Sequence, residues 1–236
     1  MIKKKAILLA GGRGTRLHPY TISTPKPMVP IGELPILEIV IKKLKKHKFT
    51  SITISVNYQA NIIMDYFEDG KKWDVEIDYV IENNPLGTMG PLNLIDNLPN
   101  DFLVMNGDVI TDLNFHNLLN YHVDSKNIFT ISSYKRTELI DYGVLECNKK
   151  NILVNFSEKP VKNYLVSMGI YIVNKSIIKY ISKNKLFGFD HLMHKCLKNN
   201  IRVNIKNHNG YWLDVGRPND YSEALKDIDY IYKKII

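Results

Sequence analysis

Residues 6–30 read AILLAGGRGTRLHPYTISTPKPMVP: an apolar run of strand character, a glycine-rich turn carrying Arg13 and Arg16, then Lys26 between two prolines. A buried strand that empties into glycines leaves backbone N–H groups facing outward, and basic side chains beside them complete a pocket for an anion such as a polyphosphate. Two common phosphate loops are excluded. G-x-G-x-x-G can be laid on Gly12 and Gly14, but its third position falls on Leu17, and no G-x-x-x-x-G-K-[ST] occurs.

Hydrophobic periodicity predicts an α/β chain. Residues 5–10 read as a buried strand, Leu37, Val40, Ile41 and Leu44 recur at helical spacing, and Ile52, Ile54 and Val56 alternate as a strand does. Ile63, Tyr66 and Phe67 predict a second helix, Val75 to Ile81 alternate again, a short helix follows Thr88, and 102–105 is a strand ending at Asn106, Gly107 and Asp108. Such β-α units imply a parallel sheet with right-handed crossovers. From Ile128 the pattern changes to closely spaced strands near 128–135, 143–147, 151–157 and 166–173. Helices near 175–182 and 189–198, a strand at 202–206 and an amphipathic helix begun by Pro218 complete the reading. The expectation is one domain over 1–236, with a nucleotide half at about 1–125 and a second half at about 126–236.

Composition narrows the setting. A chain of 236 residues can bury a core without staples, and Cys147 and Cys196 form no C-x-x-C, so neither zinc nor a disulfide framework is expected. A reducing, cytoplasmic location fits. The apolar run after MIKKK stops at Gly11, too short for a signal peptide or a bilayer span. The formal charge of +8 comes from scattered lysines without aromatic interleaving, so nucleic acid is not an expected partner, whereas small anions are.

Ligands of open α/β sheets gather beyond the carboxyl ends of the strands. There the sequence places Gly11, Gly12, Gly14, Thr15 and Arg16, then ENNPLGTMG with Gly87 and Thr88, NGD with Asp108, SEKP with Glu158 and Lys159, and WLDVG with Asp214. Each has an ordinary reading: a glycine turn, an aspartate cap, a solvated EKP turn, Asp214 paired with Arg217. Trp212 reads as core and His18 as surface. Neither H-x-x-x-H nor G-x-S-x-G occurs, which removes metalloprotease and esterase readings.

LAGGRGTRLHPYTISTPKPMVPI resembles the signature of the sugar-1-phosphate nucleotidylyltransferases, and PLGTMGPL, VMNGDV, SEKP, SMGIYIV and WLDVGRPNDY follow in that family's order. The resemblance implies a Rossmann-like, mixed and mainly parallel sheet flanked by helices, and Mg²⁺-dependent transfer of a nucleoside monophosphate from an NTP to a sugar 1-phosphate. Such a phosphate, with a second pKa of about 6, is already ionised at neutral pH, so the nucleophile needs no base. The obstacle is repulsion between anions, which positioning and charge neutralisation overcome.

Matched position by position, the resemblance implies that Leu9 and Ala10 present main-chain groups near the base. Gly11, Gly12 and Gly14 admit the triphosphate, with Thr15, Gly87 and Thr88 also nucleotide-binding. Arg16 takes the β- and γ-phosphates, Lys26 the α-phosphate, and Asp108 and Asp214 the Mg²⁺; Arg16, Lys26 and Asp108 are the implied catalytic residues. Lys159 grips the sugar phosphate, with Glu158, Gly143 and Ser167 around the sugar.

Ser167 and Met168 replace the Asn-Ala pair of many relatives, so Met168 is expected to reshape the sugar pocket. PLGTMGPL resembles the mannose-1-phosphate guanylyltransferase version more than the GLA-type loop of thymidylyl- and uridylyltransferases, which favours GTP. The end of the sequence soon after the Pro218 helix predicts no appended domain, and a monomer or homodimer. The expected substrates are an NTP and a hexose, amino-hexose or heptose 1-phosphate, serving surface-glycan synthesis. Cytidylyl, uridylyl or thymidylyl transfer, a non-catalytic nucleotide-sugar sensor and a basic nucleic-acid module are the alternatives.

Overall fold

A computed structural model describes residues 4–236. Its strands are β1 (Lys4–Leu9), β2 (Pro30–Ile31), β3 (Leu34–Pro35), β4 (Phe49–Val56), β5 (Glu76–Ile81), β6 (Asp101–Asn106), β7 (Val109–Thr111), β8 (Phe129–Leu139), β9 (Gly143–Cys147), β10 (Leu153–Glu158), β11 (Val161–Asn174), β12 (Val203–His208) and β13 (Trp212–Asp214). The main helices are α1 (Ile36–Lys46), α2 (Ala60–Phe67), α3 (Phe115–Asp124), α4 (Phe189–Lys198) and α5 (Pro218–Lys226).

Seven strands form one sheet in the order β12-β8-β11-β6-β1-β4-β5. The pairs β1–β4, β1–β6, β4–β5 and β8–β12 are parallel, while β11 runs antiparallel to both β6 and β8. The sheet is mixed and mainly parallel, as the family resemblance implies; periodicity alone did not show the antiparallel return of β11 between β6 and β8. Strands flanked on both faces must be apolar throughout, which is why β1 reads as an unbroken run. Ala6 and Leu8 face α1, α2 and α3, whereas Ile7 faces Leu192 and Cys196 of α4 across the sheet. A third cluster joins Leu17, Val29 and Ile36 to Leu213, Val215, Ala224 and Ile231, so the last segments of the chain clamp the loop that follows β1.

Several elements differ from the sequence reading. β8 continues to Leu139 and β11 starts at Val161, because 135–139 and 161–165 pair with each other as an exposed arm that has no buried face to impose alternation. The segments at Lys175–Tyr180 and Gly90–Leu94 are 3₁₀ turns rather than helices. Helix α3, absent from the reading, starts at Asn114, whose side chain accepts a hydrogen bond from Asn117 N. Among the described residues no helix is long and apolar enough to cross a membrane.

Two histidines are held neutral by the fold. His122 is fully buried, with Nδ1 beside Thr130 Oγ1 (2.8 Å), and burial pushes its pKa down against the opposing charge of Asp101. His47 is lowered to about 4, by desolvation first and then by Lys43, Lys46, His116 and Lys4. A depressed pKa means the unfolded chain binds more protons, so this stability is complete above the unfolded value and lost as pH falls towards the folded one. His47→Gln should flatten urea-unfolding stability between pH 6.5 and about 4 relative to wild type. Identical slopes in the two proteins would remove His47 from this role.

Candidate functional site

At the carboxyl end of β1 the backbone is fixed before any side chain acts. Ala10 N donates to Ser55 O (2.8 Å) and Gly107 N to Leu9 O (2.9 Å), so the first glycines emerge between β4 and the turn after β6. Gly11 is pressed against Glu82: a Cβ there would lie 2.9 Å from Glu82 Oε1. Buried Glu82 accepts from Ser55 Oγ (2.7 Å) and Leu86 N (2.9 Å), which ties the loop after β5 to the glycine turn. Between these loops opens a cavity of about 310 Å³ lined by Leu9, Ala10, Gly11, Gly12, Lys26, Gly87, Thr88 and Asp108, among others. Gly87 has φ +75°, and a Cβ there would meet Phe187 O at 3.0 Å, while Thr88 Oγ1 accepts from Phe189 N. α4 thus braces the far wall.

Lys26 forms the floor. Lys26, flanked by Pro25 and Pro27, has its stem buried at the start of the turn Lys26–Met28, and Gly14 packs on that stem at φ +63°. Thr21 Oγ1 donates to Gly14 O (2.8 Å) and holds the loop closed. The Lys26 ammonium pairs with Asp108 Oδ2 and stands 3.7 Å from Asp214 Oδ1. Those two acids come together because β13 pairs with β7, setting Asp214 opposite Val109, and Val215 N donates to Asp108 O (3.1 Å). Burial raises the Asp214 pKa, the Asp108 charge raises it further, and Lys26 and Arg16 oppose the shift. Asp214 pairs with Lys26, not with Arg217.

Leu9, Ala10, Gly11, Gly12, Lys26, Gly87, Thr88 and Asp108 therefore share one cleft, as the sequence reading grouped them. Gly14 shapes that cleft through Lys26, and Thr15 starts the short turn that carries Arg16. Arg16 and Asp214 both line a neighbouring polar cavity. The residues grouped around the sugar do not converge on the cleft. Gly143 and Glu158 face each other across the β9–β10 hairpin, and exposed Lys159 pairs with Asp141 (2.7 Å). Ser167 Oγ donates to Tyr171 OH (3.2 Å).

Met168 is a correction. Its side chain is 1% exposed, in the same core cluster as Ile170 and Ile172 of its strand, so it does not reshape a pocket. Its carbonyl accepts from Trp212 Nε1 (3.1 Å), and Trp212 packs on the core as expected. Sequence reasoning missed Glu82, although it opens the ENNPLGTMG loop immediately after β5; a buried acid following a strand was the available signal.

A mixed sheet with helices on both faces, opening a glycine-walled cleft beyond its carboxyl ends, defines a nucleotide-binding α/β protein. The chain belongs to the Nucleotidyl transferase family, whose profile matches residues 5–230. It is 35% identical to a mannose-1-phosphate guanyltransferase of Schizosaccharomyces pombe, over 92% of this chain and 62% of that protein. It is 31% identical to a UTP–glucose-1-phosphate uridylyltransferase of Synechocystis, over 95% of this chain and 63% of that protein. The chain thus spans less than two thirds of the length of these relatives. Among solved structures, HddC from Yersinia pseudotuberculosis superposes with a TM-score of 0.74 at 27% identity, covering 95% of this chain and 99% of that one. The same protein in complex with GMP-PN superposes at 0.72, with 26% identity and the same coverage.

The packing of Gly14 on Lys26 is testable. A Cβ at Gly14 would lie 2.7 Å from Lys26 Cβ, and the left-handed backbone adds about 1–2 kcal/mol of strain for a non-glycine residue. Gly14→Ala should lower thermal stability and weaken NTP binding in calorimetric titration by about tenfold or more. Wild-type affinity in a folded Gly14→Ala protein would contradict the assignment of this loop.

Proposed function

We propose that the chain transfers a nucleoside monophosphate from an NTP, with GTP favoured, to a sugar 1-phosphate, releasing pyrophosphate. The observation that carries this reading is the placement of Lys26 on the floor of the glycine cleft between Asp108 and Asp214. A cation there lies where two mutually repelling phosphates must approach, and fixed positive charge in a sheltered site favours that approach. Arg16, whose charge acts on Asp214, is suited to the charge that develops on pyrophosphate. The acceptor phosphate arrives ionised, so the proposed chemistry needs no general base.

Asp108 and Asp214 are the proposed Mg²⁺ ligands. Asp108 Oδ1 is buried without a hydrogen-bond partner, and the repulsion that helps to raise the Asp214 pKa marks two carboxylates short of positive charge. Two carboxylates suit Mg²⁺, an ion that takes few protein ligands and completes its shell with water and substrate phosphates. Bound there, Mg²⁺ would neutralise phosphate charge.

GTP is favoured on the PLGTMGPL loop, on relatives named as guanyltransferases and on the neighbour solved with GMP-PN. A cytoplasmic role in surface-glycan synthesis is part of the same reading, and the unpaired Cys147 and Cys196 are consistent with it.

Pyrophosphate release from ATP, CTP, GTP and UTP or dTTP, each against mannose, glucose, glucosamine and heptose 1-phosphates, tests the proposal. The highest turnover is expected with GTP. Lys26→Ala and Arg16→Ala should each lose about 10²–10³-fold in kcat with unchanged circular dichroism. Chelation by EDTA should abolish turnover and Mg²⁺ restore it. Turnover confined to UTP would move the base assignment, and none with any pair would overturn the reading.

A further inference from the structure

β7 and β13 form a ladder of three residue pairs, Trp212 opposite Thr111, Leu213 opposite Ile110 and Asp214 opposite Val109. Asp108 precedes β7 and Asp214 ends β13, so both acids stand at one end of the ladder. At that end a backbone bond, Val215 N to Asp108 O (3.1 Å), holds together two carboxylates whose charges repel. So short a ladder fixes its own register weakly. A slip of one residue would carry Asp214 about 3.3 Å along the strand and turn its side chain to the opposite face.

The other end is tied by Asp112. Its Oδ1 accepts from Tyr211 N (2.8 Å) and from His208 Nε2 (2.8 Å), and its Oδ2 accepts from Tyr230 OH (2.9 Å). Its own N donates to Tyr211 O (3.1 Å), which also accepts from Thr111 Oγ1 (2.7 Å). Gly210 makes room for this knot: a Cβ there would lie 2.7 Å from Asp112 Oδ2 and closer still to Oδ1. Tyr211 is thus held at both its N–H and its C=O by one residue, immediately before β13 begins, and the strand cannot slide without breaking these bonds together. Hydrogen bonds to a carboxylate are roughly twice as strong as neutral ones, which makes the hold a firm one. Asp112 itself stands outside both the nucleotide cleft and the polar cavity that holds Arg16.

We propose that Asp112 is a positioning residue of the transfer site: by locking Tyr211 it sets the register of β13 on β7, and with it the placement of Asp214 beside Asp108 and Lys26. The inference rests on the function proposed above, in which the two acids hold Mg²⁺. That ion demands near-octahedral geometry with short bonds to oxygen, so displacing one carboxylate by part of a strand step weakens its binding. Removing a group that orients a metal ligand typically costs about 10–100-fold in affinity.

The test is Mn²⁺ binding, followed by electron paramagnetic resonance in the presence of a non-hydrolysable GTP analogue. Asp112→Ala should raise the Mn²⁺ dissociation constant by about tenfold or more, with affinity for the metal-free analogue unchanged. Asp112→Asn, whose amide oxygen still accepts from Tyr211 N, should recover most of that loss. Tyr230→Phe removes the bond to Oδ2 and leaves both bonds to Oδ1, so it should lower the melting temperature while keeping wild-type Mn²⁺ affinity. Gly210 lies outside the left-handed region, so Gly210→Ala keeps the backbone and displaces the carboxylate; it should weaken Mn²⁺ binding as Asp112→Ala does, and it carries the test if that variant does not fold. Wild-type Mn²⁺ affinity in Asp112→Ala, or in Gly210→Ala where that variant stands in, overturns the role of Asp112 and leaves the transfer reading intact, as does a loss that Tyr230→Phe shares in full. A wild-type chain that binds no Mn²⁺ with the analogue defeats the metal reading itself, and the role of Asp112 with it.

Discussion

The arrangement depends on one buried ammonium. Lys26 is 8% exposed, and its charge is compensated by two carboxylates from segments far apart in sequence, Asp108 after β6 and Asp214 at the end of β13. A buried lysine without partners would be strongly disfavoured in its charged form, and two adjacent carboxylates without a cation would resist ionising together. Each group is therefore tolerable where it stands because of the others. The cluster is also short of one positive charge, since two carboxylates face one lysine while Arg16 acts from farther away. That deficit is what a divalent cation accompanying a triphosphate would fill.

The rest of the fold delivers these groups to one point. Pro25 and Pro27 fix the turn that aims Lys26, and Gly14 lets the glycine loop close over its stem. The third apolar cluster draws Leu213 and Val215 onto Leu17 and Val29, and the β7–β13 ladder sets Asp214 beside Asp108. Each fully buried aliphatic side chain in that cluster contributes roughly 1.5–3 kcal/mol, enough to hold two like-charged acids together when several act at once. Packing in one layer thus sustains electrostatic repulsion in the next, and substrate binding can relieve that repulsion.

The first half of the site was legible because its constraints are local. A strand buried on both faces must be an unbroken apolar run, a left-handed turn selects Gly14, and a lysine between prolines has few conformations. α3 was harder to see: its buried positions include His122, and Asn117 and Asn120 interrupt a short apolar pattern. The β8–β11 arm is exposed on both faces, so it carries no alternation to read. The insertion of β11 between β6 and β8, and the burial of Met168 in the core, are set by partners distant in sequence.

The most direct measurement of the central claim is a crystal structure with a non-hydrolysable GTP analogue and Mg²⁺. The account predicts the triphosphate along Gly11 to Gly14, with the Lys26 ammonium turned from Asp108 onto a phosphate oxygen and both aspartates facing the metal. A nucleotide bound elsewhere, or Lys26 still paired with Asp108 while phosphates lie out of its reach, would contradict it.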